Sequence, residues 1–274
     1  MPKTSRPIER DQREYDTTQL KLGGHGRTLH RDYSSHFFRW SFAGRFITAK
    51  DSVLEIGCGE ERPLSKILTG GAAAHVDQYV GVDLNKLKES NSQRLHFYGE
   101  FNFNQRYKEL IKTHGTFDIV VHLEVIEHMK VMHGRKLLRA AFECLKPGGV
   151  MLMSTPAYDG KRHAANHIHE YTIPELQKEV EKAGFVVNRR FGTFMDIKHI
   201  KKVKSFELLP EDTPWNDDEI HGAIKIVSSL LGEYYDNDAI SNIFGPLFPN
   251  HARNNLWVCQ KPDQPQKKVT RRHK

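Results

Sequence analysis

Glu124, Glu127 and His128 lie in the run Glu124-Val125-Ile126-Glu127-His128. Their i, i+3 and i+4 spacing puts all three side chains on one face of a helix. Two carboxylates and an imidazole converging there can move a proton, or give mixed oxygen and nitrogen ligands to a divalent cation such as Mg²⁺, Mn²⁺ or Zn²⁺. A further ligand must come from elsewhere in the chain. His167, in the polar loop Asn166-His167-Ile168-His169-Glu170-Tyr171, is the best placed. The same residues also read as a helix start with its carboxylates in a cofactor pocket and His128 packed on a sheet.

A second group of residues suits a nucleoside-type ligand. Val53-Leu54-Glu55-Ile56 is short, apolar and bounded by glycine, the pattern of a buried strand. Gly57-Cys58-Gly59 then turns tightly and leaves main chain bare to a ligand. A helix over about Arg62–Leu68 completes a strand, turn and helix unit. Tyr79-Val80-Gly81-Val82-Asp83 is a second strand, ending in a carboxylate 26 residues after Gly57. An acid at that point is set to accept hydrogen bonds from ribose hydroxyls; the alternative is that Asp83 caps the next helix. His96-Phe97-Tyr98 reads as a third strand, and Glu100 and Phe101 after it offer a polar group and a ring to an adenine.

The other elements follow from periodicity. Aromatics between Arg31 and Ile47 fall near helical spacing and predict a helix over the first strand, from which Tyr33 and Arg39 reach toward a ligand carboxylate. Phe117–Leu123 is a fourth strand that runs straight into Glu124. A helix over Gly134–Leu145 ends at Lys146-Pro147-Gly148-Gly149. Val150–Ser154, Phe185–Phe191 and Trp257–Cys259 supply strands five to seven, with a helix over Ile173–Ala183. The domain reading is an arm at 1–30, a core at 31–192, an insertion at 193–252 acting as lid or substrate lobe, a last strand at 253–260 and a tail at 261–274.

Composition bounds the rest. A chain of 274 residues with 38% hydrophobic content can bury one substantial core. No apolar run approaches the roughly 18–20 residues that span a bilayer, and the first residues lack a signal-peptide pattern. The three cysteines, Cys58, Cys144 and Cys259, are widely spaced and read as free thiols. A cytoplasmic protein is the expectation. The net charge of +7 sits at the ends. Residues 1–31 carry seven Lys and Arg against four Asp and Glu, residues 261–274 carry six against one, and the body between is at −1. Basic ends, and the run Lys198, Lys201, Lys202 and Lys204, are either solvated segments or contacts to nucleic acid.

Taken together, Glu55-Ile-Gly-Cys-Gly59, Gly81-Val-Asp83, Phe117-Asp-Ile-Val-Val121, Glu124-Val-Ile-Glu-His128 and Leu145-Lys-Pro-Gly-Gly149 closely resemble the class I S-adenosylmethionine-dependent methyltransferases. The resemblance covers about residues 50–192 and the last strand. It implies an α/β, Rossmann-like seven-stranded sheet, mainly parallel, with helices on both faces and a helical insertion before the last strand. It also implies S-adenosyl-L-methionine as cofactor, held by Glu55, Gly57, Cys58, Gly59, Asp83, Leu84, Glu100, Phe101 and Leu123. Glu60-Glu61 replace a third glycine; two carboxylates there disfavour a pyrophosphate and suit a sulfonium. The Glu-Val-Ile-Glu-His run with the later histidine loop resembles metal-dependent small-RNA 2′-O-methyltransferases and ubiquinone-pathway O-methyltransferases. That implies catalytic roles for Glu124, His128 and His167, and a metal set of Glu124, Glu127, His128 and His167.

The expected reaction is methyl transfer to an oxygen of a small molecule or RNA. Alternatives are a nucleic-acid-binding methyltransferase acting on a base, or a scaffold without activity. The Asp/Asn-Pro-Pro-aromatic turn of amino-directed DNA methyltransferases is missing after strand four, where Leu123-Glu124-Val125-Ile126 stands.

Overall fold

The computed structural model of the chain describes residues 31–69, 76–88, 92–161, 164–194 and 245–263, with isolated positions at 222, 226, 229, 230 and 242. The proposed arm at 1–30, most of the 193–252 insertion with its Lys198–Lys204 run, and the tail beyond 263 lie outside the described residues.

Among the described residues seven strands form one sheet. In chain order they are β1 (Ser52–Ile56), β2 (Gln78–Val82), β3 (Leu95–Tyr98), β4 (Phe117–Leu123), β5 (Leu145–Pro156), β6 (Val186–Phe194) and β7 (Asn254–Gln260). The spatial order is β3-β2-β1-β4-β5-β7-β6. β1 to β5 pair in parallel, and β7 is antiparallel to both β5 and β6. This is the mainly parallel, Rossmann-like α/β sheet expected from the motifs.

Strand order reverses at β1, which lies between β2 and β4. Loops leaving the carboxyl ends of β1 and β4 therefore diverge to opposite faces and open the crevice where such sheets bind ligands. Among the described residues the two faces are covered by α1 (Arg31–Gly44), α2 (Pro63–Thr69), α3 (Phe103–His114), α4 (Val131–Cys144) and α5 (Ile173–Lys182). One core joins Leu54, Val80, Val120 and Trp257 to α3, α4 and α5; the other joins Val53, Tyr79, Val121 and Leu256 to α1 and α2. Among the described residues no helix is long and apolar enough to cross a membrane.

The structure corrects the sequence at several points. α3 has no counterpart in the sequence reading. Only Phe103 and Leu110 of its twelve residues are buried, and Asn102 makes no side-chain cap bond, so its apolar face is too narrow to show as a period. α4 runs from Val131 to Cys144, and Leu145 already pairs with Phe117 of β4 ahead of a register shift. The predicted start of α5 stands: Thr172 and Glu175 form a reciprocal capping box at its head. The largest correction concerns Glu124–His128, which is not an α-helix. Glu124 has φ 58°, Val125 φ −124°, and only Ile126–His128 form a single 3₁₀ turn.

Candidate functional site

Gly57 and Gly59 adopt φ of 75° and 68°, which favour glycine. A Cβ on Gly57 would stand 2.6 Å from Val125 Cγ2, so the turn is pressed against the segment that follows β4. A Cβ on Gly59 would meet nothing within 4 Å. The turn is thus closed behind Gly57 and open at Gly59, a cradle of the kind a bound ligand fills.

Asp83 leaves the end of β2 beside that opening. Its Oδ2 accepts the Gly59 N–H at 2.9 Å, and its Oδ1 accepts the main-chain and side-chain N–H groups of Asn85 at 2.8 and 3.1 Å. The Asp83 carbonyl takes the N–H of Phe101 at 2.9 Å, joining the β2 and β3 loops. Glu100 is strained at φ 49° and exposed, while Leu84 is 37% exposed. Phe101 is 3% exposed, with the Arg106 guanidinium 4.4 Å from its ring centroid. Its ring belongs to the core beneath the crevice. Leu123 is half-buried at the end of β4, and the Cys58 side chain is buried with its N–H directed to the Val82 carbonyl.

Glu55 lies lower on β1, buried, and accepts a hydrogen bond from the Tyr79 hydroxyl. Burial pushes its carboxyl up to about 8, against the opposing effect of that hydrogen bond. A folded value raised above the ordinary 4.5 adds stability that is complete below pH 4.5 and is lost as pH rises toward 8. Glu55→Gln keeps an acceptor for Tyr79 and carries no charge. The variant is expected to lose less stability than the native protein between those two pH values, measured as denaturant midpoints at each end.

At the end of β4 the structure separates the two glutamates. Glu124 turns toward β5, β7 and α1. Its Oε1 accepts from Ser154 Oγ at 2.7 Å, its Oε2 from Asn254 Nδ2 at 2.7 Å, and Arg39 Nε is 3.6 Å from Oε1. Burial opposes its charge, but Arg39 and the Ser154 hydroxyl outweigh burial and hold the carboxyl below its ordinary value. Arg39, expected to reach a ligand carboxylate, is 3% exposed and also bonds His36 Nδ1.

Glu127 is fully buried. Thr155 Oγ1 donates to its Oε2 at 2.9 Å, and its Oε1 has no hydrogen-bond partner among the described residues. Burial first, and the Glu124 charge second, push its carboxyl well above the ordinary value. One acid is therefore held as a carboxylate and its neighbour is held as the acid.

His167 reaches this place from a loop 39 positions downstream of His128. The main-chain N–H groups of Ile168 and His169 both donate to the Glu127 carbonyl, at 2.8 and 3.0 Å, and pin the loop onto the 3₁₀ turn. Glu127, His128 and His167 each present a ligand atom, all within 4.8 Å of one another. The two imidazoles meet edge to face with centroids 5.0 Å apart. His128 Nδ1 is 2.9 Å from the Asn166 carbonyl and His167 Nδ1 is 2.5 Å from Glu170 Oε1. With both Nδ1 atoms donating to these oxygens, the lone pair of each ring is on Nε2, the usual arrangement around a metal. The residues fit a cation: an orphaned, buried carboxylate oxygen and two oriented imidazoles. Glu124, also in the metal set expected from the sequence, is not one of these three, and its carboxylate is taken up by Ser154, Asn254 and Arg39.

Sequence reasoning did not single out Ser154 or Asn254 as partners of Glu124. The signal for the second is faint: Asn254-Asn255 opens an otherwise apolar strand, Leu-Trp-Val-Cys.

A glycine turn at the switch point, an acid after β2 and a polar cluster after β4 define a class I S-adenosylmethionine-dependent methyltransferase fold. The family model described as a methyltransferase domain matches residues 30–189, more than half of the chain, and the protein belongs to that family. It is an S-adenosylmethionine-dependent methyltransferase. Over 180 residues it is 27% identical to a probable S-adenosylmethionine-dependent methyltransferase of Mycolicibacterium smegmatis, covering 60% of this chain and 67% of that one. Among solved structures it is similar to an S-adenosylmethionine-dependent methyltransferase from Archaeoglobus fulgidus, with TM-score 0.53, 15% identity, and coverage of 85% of this chain and 95% of that one. It is also similar to the [4+2]-cyclase SpnF, with TM-score 0.51, 12% identity and coverage of 92% and 87%. At such identities the likeness is one of fold, and fold alone does not choose a reaction.

Proposed function

We propose that the protein transfers the methyl group of S-adenosylmethionine to an oxygen of a small molecule or RNA, with a divalent cation held by Glu127, His128 and His167. The observation that carries this reading is the buried Glu127 Oε1 without a partner among the described residues, within reach of two imidazoles whose Nδ1 atoms are already occupied.

The main chain at Gly57 and Gly59 would hold the methionine part of the donor, and Asp83 the ribose hydroxyls. When bound, S-adenosylmethionine supplies a methyl group already activated by the sulfonium. The chain's task is then to hold the acceptor atom in line and to free it of its proton. Hydroxyl groups need that help more than amines do, which is why a cation site beside the crevice favours an oxygen acceptor. Two nitrogens and one oxygen suit Zn²⁺ or Mn²⁺ better than Mg²⁺, which prefers oxygen alone. Glu124 is assigned to fixing the wall between donor and acceptor, because its carboxylate is spent on Ser154, Asn254 and Arg39. The sequence does not favour amino methylation of a base, since the turn that receives such an amino group is missing after β4.

The test is to incubate the protein with methyl-labelled donor and separated RNA, DNA, protein and small-molecule fractions, with and without a chelator. Label in an oxygen-linked methyl group that disappears with the chelator is expected. Transfer that is indifferent to the chelator would remove the cation from the mechanism.

A further inference from the structure

Four side chains at most 1% exposed have polar atoms without a partner among the described residues: His122, Glu127, Thr193 and Asn255. Native interiors leave few such groups, and each calls for an explanation. All four fall at one end of the same half-sheet. Thr155 on β5 is registered against Asn255 on β7, and Asn255 against Gly192 on β6, beside the bulged Thr193. Neighbouring strands are about 4.8 Å apart, and Thr155 Oγ1 bonds Glu127 at 2.9 Å. By register Glu127, Thr155 and Asn255 thus form a polar row that leads from the Glu127, His128 and His167 cluster across β5 and β7, with Thr193 at the register shift of β6 beside Gly192. His122 is one layer below, beside Met153, which is registered against Trp257.

We propose that Asn255 and Thr193 form an acceptor subsite that hydrogen-bonds a neutral polar group, a hydroxyl or a carboxamide, next to the oxygen that receives the methyl group. The inference rests on the oxygen-acceptor reading above and extends it to specificity. Both residues are uncharged and each can donate and accept, so the row matches a group that does both. Of the two arginines near this place, Arg190 has its guanidinium 5.1 Å from the Trp257 ring centroid and donates to Asn250 at 2.8 Å, and Arg253, two positions before Asn255, is exposed, whereas Asn255 and Thr193 are buried. Asn255 and Thr193 themselves offer no charge to a charged acceptor group. The row also stands at the carboxyl ends of β5 and β6, the end of the sheet where ligands bind in this architecture.

An enclosed structural water is the competing account of the same atoms. Asn255→Leu and Thr193→Val separate the two through thermal melting, calorimetric binding of S-adenosylmethionine, and transfer of label to the accepting fraction. If the row serves an acceptor, removing idle polar groups costs the empty protein nothing. Both variants then melt at or above the native temperature, bind the donor with unchanged affinity and show kcat/KM for the acceptor about ten-fold lower or worse. Lower melting temperatures, or unchanged transfer, would overturn the subsite. If the native protein labels nitrogen in place of oxygen, the acceptor-oxygen reading falls, and the melting comparison still decides whether the row is idle or structural.

Discussion

Asp83→Ala is expected to weaken S-adenosylmethionine binding on the order of 10²-fold or more, with a parallel loss of turnover at limiting donor. Charge-assisted hydrogen bonds are each worth about 1.5–3 kcal/mol, and a ribose offers two hydroxyls. The carboxylate also organises the pocket, because it takes the N–H of Gly59 and both N–H groups of Asn85. Alanine leaves those donors without their acceptor, so a fall of about 1–3 kcal/mol in stability accompanies the lost affinity. Asp83→Asn keeps an acceptor and the shape but not the charge, and belongs between the two. Calorimetric titration of each folded variant with the donor is the measurement. Native-like affinity in Asp83→Ala would remove the ribose contact from the proposal.

Glu127→Gln is expected to leave the fold nearly as stable as before and to lower cation-dependent transfer by about 100-fold or more. A carboxamide fills the same volume and still accepts from Thr155, so little packing is disturbed. Without a cation the native side chain is held as the neutral acid in any case, because burial and the Glu124 charge oppose its ionisation. A cation reverses that balance by stabilising the carboxylate, which the amide cannot reproduce. Loss of even an outer partner of a metal ligand costs 10–100-fold, and a ligand should cost no less. Metal content by mass spectrometry, with turnover before and after chelation, gives the result. Full activity in Glu127→Gln would sink the cation reading while leaving the donor site untouched.

These two substitutions probe halves of the crevice that were not equally visible before the chain was folded. The donor half depends on short-range signals. An apolar run bounded by glycines, a second run ending in Asp83 and a fixed distance between them are enough to define strand, turn, strand and acid, because each is a local preference of the backbone. The proposed acceptor half depends on contacts between distant positions. The sequence put Glu124, Glu127 and His128 on one helical face; the backbone at Glu124 turns to φ 58° instead, since Ser154, Asn254 and Arg39 satisfy its carboxylate from three other elements. α3 escaped notice for the opposite reason, a helix with too little buried surface to leave a periodic trace.

The sequence by itself determined the Rossmann-like sheet and the glycine turn, because apolar runs, bounding glycines and a strand-ending acid are each local signals, and it pointed to the methyl donor through the resemblance that five such motifs in order carry. Only the tertiary structure decided which groups gather on the proposed acceptor side. His167 meets His128 because main-chain N–H groups 41 and 42 positions after Glu127 bond its carbonyl, and Asn255 joins Thr155 because β7 is inserted antiparallel between β5 and β6. Pairings of that range are fixed by sheet order and hydrogen-bond register, and no window of neighbouring residues carries them.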